Sequence, residues 1–308
     1  MPKDVYLQPH APDPVLDPGL VLSLTRRHIP RADAVTQVDE SGGEARVYVI
    51  DDGIIVKTQR PHRLRPRTSL AKEVAFLQAL QPSGASVPEV LGYGKDESVE
   101  YTVMTRIPGV AVVHASLDAE ARHNMLFELG RTLRSIHGIP QEPLRATDLF
   151  PVEDTPEAFS AHVSEALEDA VAHLREAEAP WDIPHLSPEQ IAQLAVDALP
   201  RTTLRAAVHS NPGPTHTFVD PISGAYEGLI DFGDAFISHP AWDLRRWNPT
   251  EREALLAGYQ ADAPLDADFL QTYRIIAIAM NLVMLTSQKP LVRQAAQADL
   301  VENLRALQ

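Results

Sequence analysis

A short hairpin interrupts the helical second half of this chain, and a polar loop flanks each end of it. The first loop reads His209-Ser210-Asn211-Pro212-Gly213-Pro214-Thr215-His216. The second, Asp231-Phe232-Gly233-Asp234, starts fifteen residues after His216. Between them, residues 217–230 have strand texture across a Pro-Ile-Ser-Gly turn at Pro221 to Gly224. Strands inserted among helices rule out an all-helical or an all-β chain and make the arrangement α+β.

The rest of the chain divides around that feature. Its 308 residues lie at the upper edge for a single core, so two lobes are expected. Residues 1–36 read as an N-terminal extension, Pro-rich at first and then carrying a helix candidate over Leu20 to Thr25. Residues 37–105 read as a small β-rich lobe. Ala45 to Ile50 and Gly53 to Lys57 form a strand pair joined by Asp51-Asp52, a hairpin signal. A helix follows over Thr68 to Leu80, with Leu70, Val74 and Leu77 on one face and Thr68 or Ser69 as cap. Val87 to Gly92 and Glu100 to Met104 are two further strands. The only hinge-like joint lies near 104–109, at Pro108-Gly109. Residues 106–308 read as a larger, mainly helical lobe, with helices at Ala119 to His137, Pro156 to Ala177, 188–199, 266–286 and 290–306. Ser187-Pro188-Glu189-Gln190 and Thr250-Glu251-Arg252-Glu253 are read as capping boxes.

Composition excludes several classes. The chain is 44% hydrophobic and 22% charged, as an ordinary globular protein is. A net charge of -15 makes nucleic acid a poor partner. The acidity is concentrated: residues 151–200 hold eleven Asp or Glu against the single Arg175. A solvated helical face and a subsite for a cationic substrate both account for that run. Without cysteine, disulfides and thiolate metal sites are excluded, and a reducing compartment is compatible. The N-terminal residues have no apolar signal core. The most apolar stretch, Ile275 to Leu285, is too short to span a bilayer and contains Asn281, so it reads as a buried helix. No membrane partner and a cytoplasmic location are expected.

Several side chains are candidates for handling phosphate. Lys57 ends an apolar strand, and Glu73, sixteen residues on, sits between apolar positions of the next helix. Such a pair matches the Lys–Glu ion pair that positions the phosphates of a nucleotide. Ser41-Gly42-Gly43-Glu44 precedes the strand pair, and its backbone N–H groups are placed to fold over phosphates; an ordinary hairpin turn reads equally well. Asp231 follows Gly228-Leu229-Ile230 at a strand end, where a carboxylate suits Mg²⁺. Asp234 reads as a turn or helix cap, and Asp243 as a structural acid that accepts from backbone N–H groups of the 209–216 loop.

With these residues in view, VHSNPGPTHTFVD followed by GLIDFGDAFISHPAWDL resembles the aminoglycoside/macrolide phosphotransferase family. That family's loop typically reads His-Gly-Asp-x-His-x-x-Asn, followed by Ile-Asp-Phe/Trp. The segments VYVIDDGIIVKTQ, KEVAFLQAL, VPEVLGYG, YTVMTRIPG and LGRTLRSIHGIP fit as well, so the resemblance covers residues 38–285. It implies a bilobal protein-kinase-like fold that carries the γ-phosphate of ATP or GTP, with Mg²⁺ or Mn²⁺, to a hydroxyl of a small molecule. By that resemblance Lys57 and Glu73 position phosphates, with Gly42 and Gly43 as the backbone candidates beside them, and Met104, Thr105, Arg106 and Ile107 meet the base. Asp231 and His216 stand at the metal positions, His209 and Asn211 at the catalytic ones, and Asp243 braces the loop.

The loop departs from the family pattern at four positions. Ser210 replaces Gly, Gly213 replaces the second His, Asn211 replaces the Asp base, and His216 replaces the metal-binding Asn. A neutral amide cannot accept a proton from a hydroxyl, and general-base catalysis is worth about 10²–10⁴-fold. The resemblance therefore implies a slow enzyme, with a nucleotide-binding pseudokinase as the alternative. Imidazole is a poor ligand for Mg²⁺ and suits Mn²⁺ or Zn²⁺ better; otherwise His216 only hydrogen-bonds within its loop.

Overall fold

The computed structural model describes residues 6–66, 68–96, 99–181, 183 and 185–307. Strands β1 (Val35–Asp39), β2 (Ala45–Ile50), β3 (Ile54–Gln59), β4 (Val90–Asp96) and β5 (Val99–Thr105) form one antiparallel sheet in the order β1-β2-β3-β5-β4. The β2–β3 hairpin turns on Asp51 and Asp52, whose φ angles of 48° and 59° are the left-handed pair that matches strand twist. β4 starts at Val90 rather than at the expected Val87, because Pro88 has no N–H to give the ladder. β3 runs on to Gln59, which places Lys57 inside the strand rather than at its end.

Each face of the sheet is covered by one helix. Strand side chains alternate, so Val56 and Lys57 point opposite ways. On the Val56 face lies α1 (Pro18–Arg26), capped by Asp17; its Val21 and Leu24 are buried against Tyr48, Val56, Tyr101 and Val103. Asp13, just before it, pairs with Arg46 and Arg60 from β2 and the end of β3. On the Lys57 face lies α2 (Leu70–Leu80), with Ser69 as its N-cap. Phe76, Leu77 and Leu80 join α2 to the larger core.

That larger core is helical. Helices α3 (Ala119–His137), α4 (Glu142–Arg145), α5 (Pro156–Glu176), α6 (Pro188–Asp197), α7 (Pro249–Tyr259), α8 (Ala267–Met284) and α9 (Pro290–Ala306) surround Phe159, Leu167, Trp242, Trp247 and the apolar run of α8. α3 and α7 touch backbone to backbone. A Cβ on Gly130 would stand 2.2 Å from the Leu255 carbonyl oxygen, and one on Gly258 would stand 1.9 Å from that of Phe127, so only glycine fits at either crossing. The N-cap of α7 is Asn248, not Thr250. Pro249 takes the first helical position, and the Glu251 carboxylate accepts from the Asn248 N–H at 3.0 Å.

The inserted strands hold the two polar loops together. β6 (Val110–Ala111), β8 (Thr217–Val219) and β9 (Tyr226–Leu229) form one small sheet, and β7 (Ala206–Val208) pairs with β10 (Phe236–Ser238). The β8–β9 hairpin starts and finishes at the same end, where the Ile230 N–H donates to the His216 carbonyl at 3.0 Å. The β7–β10 pair fastens the outer ends of both loops through Val208 and Phe236. No helix among the described residues is long and apolar enough to cross a membrane.

Candidate active site

Three charged side chains from three separate elements meet beside the hairpin. Lys57 reaches across from β3, and its Nζ donates to both Glu73 oxygens, at 2.8 and 3.0 Å, and to Asp231 Oδ1 at 3.0 Å. Glu73 is 2% exposed, and its Oε1 also accepts from the Phe232 N–H at 3.4 Å. Asp231 has a left-handed backbone with φ of 72°, an uncommon conformation for a residue with a side chain. One cation thus serves two carboxylates. The charge of Lys57 holds Asp231 well below the usual carboxylate range. Burial pushes Glu73 upward against the pull of the same lysine.

The 209–216 loop is fastened from below by Asp243, which is fully buried. Its Oδ2 accepts from the His209 N–H at 2.7 Å and from His137 Nε2 at 2.9 Å, and its Oδ1 accepts from the Ser210 N–H at 2.7 Å. Tyr259 meets the other nitrogen of His137 at 2.9 Å. Trp247 Nε1 donates to the Pro212 carbonyl at 2.9 Å. Ser210, where the family pattern has Gly, has φ of 82°. Burial drives Asp243 upward, but the His137 bond, the nearby imidazoles and the His209 N–H outweigh it and leave this acid below its ordinary value.

Each loop histidine must carry a proton on the nitrogen that faces a carbonyl group, which can only accept. His209 donates from Nε2 to the Ile230 carbonyl at 2.8 Å, so its Nδ1 accepts from the Asn211 N–H at 3.1 Å. It is fully buried, and burial lowers its pKa, which keeps the ring neutral. His216 donates from Nδ1 to the Asn211 carbonyl at 2.8 Å, and its Nε2 stands 3.4 Å from Asp231 Oδ2. Among the described residues no group of three or more His, Asp or Glu is arranged to hold a metal ion. The donors at this corner are Asp231 and His216.

Asp234 does not cap a turn or helix as its spacing suggests. Its carboxylate accepts from Thr68 Oγ1 at 2.5 Å and from Arg65 at 3.2 Å, both on the segment that leads into α2. Arg65 also pairs with Glu44, next to Gly43. This bridge ties the turn at 41–44, the start of α2 and the second polar loop together, and nothing in the sequence pattern pointed to it. The Gly42 carbonyl accepts from Arg60 at 3.0 Å. At the joint, Met104 is buried and pairs with Ile55, while the Thr105 and Arg106 N–H groups donate to the carbonyls of Glu89 and Gly53 at 2.9 and 3.0 Å. The Ile107 side chain approaches Gly228 at the base of the hairpin.

A five-stranded sheet carrying Lys57, a helix carrying Glu73 and a hairpin-borne Asp231, followed by a helical half, define a kinase-like fold of the small-molecule phosphotransferase type. The chain belongs to the phosphotransferase enzyme family, whose model matches residues 35–278. No curated protein matches it by sequence. Among solved structures it resembles the GDP complex of a point mutant of aminoglycoside 2'-phosphotransferase-IIIa, at 17% identity and a TM-score of 0.59 over 94% of this chain and 96% of that one. The apoenzyme of macrolide 2'-phosphotransferase MphH from Brachybacterium faecium is similar at 19% identity and a TM-score of 0.59, over 92% and 97% of the two chains. A streptomycin–ATP ternary complex of APH(2")-IIa matches at 14% identity and a TM-score of 0.57, over 94% and 97%. At these identities the likeness carries the fold.

Proposed function

We propose that the chain transfers the γ-phosphoryl group of ATP or GTP to a hydroxyl of a small molecule, slowly, because Asn211 stands where the base belongs. The observation behind this reading is the convergence of Lys57, Glu73 and Asp231. A lysine held at 2.8 Å by a buried glutamate keeps its charge and its position for the α and β phosphates. Gly42 and Gly43 lie in the turn that would cover them. The base of the nucleotide would meet the segment 104–107, chiefly through carbonyl groups, since the Thr105 and Arg106 N–H groups are committed elsewhere. Asp231 Oδ2 and His216 Nε2 have the donor chemistry to hold a divalent cation, which neutralises phosphate charge when bound.

In this reaction a bond forms from the acceptor oxygen to the γ-phosphorus, and the bond from that phosphorus to the bridging oxygen breaks. Asn211 can orient the hydroxyl through its amide oxygen but cannot keep its proton. The loose transition state needs that proton removed late, so it passes to the transferred phosphoryl group or to water. His209 does not substitute as the base, since both its nitrogens hold the loop in shape. The same fact supports the second reading, a pseudokinase that binds nucleotide without turnover. The similar structures are named aminoglycoside and macrolide phosphotransferases, and together with the exposed acids Glu165, Glu168 and Glu176 on α5 this supports a hydroxylated and cationic acceptor.

Thermal shift with ATP or GTP and Mg²⁺ or Mn²⁺ tests nucleotide binding, which must raise the melting temperature. Phosphate transfer to a panel of aminoglycosides and simple alcohols tests turnover. Asn211→Asp is expected to raise turnover by about 10²–10⁴-fold. Absence of any nucleotide-dependent shift with either metal would refute both readings.

A further inference from the structure

We infer that the metal position beside Asp231 is built for a first-row transition ion, with Mn²⁺ the best fit, and that His216 supplies a nitrogen ligand to it. This deepens the phosphotransferase reading and rests on it.

The first argument is the tautomer. The Asn211 carbonyl can only accept, so His216 Nδ1 carries a proton, and Nε2 is the nitrogen that faces Asp231 Oδ2, 3.4 Å away. A cation shared between Nε2 and Oδ2, whether a proton or a metal ion, satisfies both atoms. The second oxygen of Asp231 is already used, because Oδ1 takes Lys57 at 3.0 Å. Oδ2 and Nε2 are therefore the pair left to bind.

The second argument is geometry. Ligands at about 2.1 Å on adjacent corners of an octahedron stand roughly 3 Å apart. The observed separation of 3.4 Å closes to that value with a shift of a few tenths of an ångström. Both donors are fixed on one hairpin end, where the Ile230 N–H and the His216 carbonyl are bonded at 3.0 Å. The side chains of Asp231 and His216 are 48% and 19% exposed, so water and phosphate oxygens can reach the remaining corners.

The third argument is the donor set. One imidazole nitrogen and one carboxylate, completed by oxygens, suits Mn²⁺. Mg²⁺ selects oxygen and holds its waters, and Zn²⁺ favours a four-coordinate site richer in nitrogen or sulfur. Replacing the family's amide with imidazole thus changes which ion fits best.

Pulsed electron paramagnetic resonance on the full chain with ADP and Mn²⁺ reads the ligand directly. Bound Mn²⁺ should show a directly coordinated imidazole nitrogen, and labelling histidine with the heavier nitrogen isotope should change that coupling without any mutation. Calorimetry should show that the protein prefers MnADP to MgADP by more than the ratio for ADP in buffer. His216→Gln should remove the nitrogen signal and weaken Mn²⁺ by at least the about 10–100-fold that outer-shell changes cause. Mn²⁺ bound with no nitrogen coupling, or MgADP bound as well as MnADP, overturns the inference while leaving nucleotide binding intact. Failure of ADP to bind with either ion overturns the phosphotransferase reading as well.

Discussion

Asp243→Asn isolates the role of the acid beneath the 209–216 loop. The carboxylate accepts three hydrogen bonds from two backbone N–H groups and one imidazole, at full burial. An amide keeps one acceptor oxygen. If that oxygen stays with His209 and His137, the NH₂ group faces the Ser210 N–H, donor against donor. Losing one bond to a buried charge costs about 1.5–3 kcal/mol, and the other two weaken as their acceptor becomes neutral. Removing a buried charge offsets part of this, leaving a loss of about 2–3 kcal/mol. For a chain of this size that lowers Tm by about 3–5 °C. Ser210, held at φ of 82°, is the residue that should relax, so its amide should lose hydrogen-exchange protection first. The acid limb gives an independent check. A carboxyl depressed in the folded state contributes stability above the unfolded value, about 3.9, and loses it as pH falls through the folded one. The gap between wild type and variant should therefore be full near neutrality and shrink below about pH 4. A variant with unchanged Tm and a protected Ser210 amide would refute the account of the loop.

Two further changes test neighbouring groups. Ser210→Gly removes a side chain from a left-handed position and should raise stability by up to about 1 kcal/mol, read by chemical denaturation; a loss would show that the serine is not strained there. Lys57→Ala leaves Glu73 buried without its cation and should cost about 3–5 kcal/mol and weaken ADP binding. The double change Lys57→Met with Glu73→Gln should recover much of the stability but none of the affinity. Recovery of both in calorimetry would remove the pair from nucleotide binding.

The sequence was most informative where chemistry and local period coincide. Lys57 and Glu73 were identifiable because an apolar strand and a capped helix place them, and Asp231 and Asp243 because fixed distances separate them from the hairpin. The partners of these groups were not identifiable. Thr68 lies 166 residues from Asp234, and His137 lies 106 from Asp243. A polar contact of that span leaves no periodic trace. The glycines at the α3–α7 crossing were hidden for a similar reason, since in a helix each reads only as a mild destabiliser. The Thr250 box failed because two overlapping capping patterns compete there, and Pro249 decides between them by fixing the first turn.

The recognisable part of the chain is smaller than the part that holds itself together. The family match begins at residue 35 and ends at 278. Before that start lie Val21 and Leu24, which shield one side of the sheet from water, and Asp13, which neutralises Arg46 and Arg60. Beyond that end, Leu300 is buried and Asp299 receives Arg252 and Asn281. A fragment trimmed to the matched limits would bare Tyr48, Val56 and Tyr101 on one flank and strand a buried guanidinium on the other. It should aggregate even though every residue of the phosphate cleft is still present.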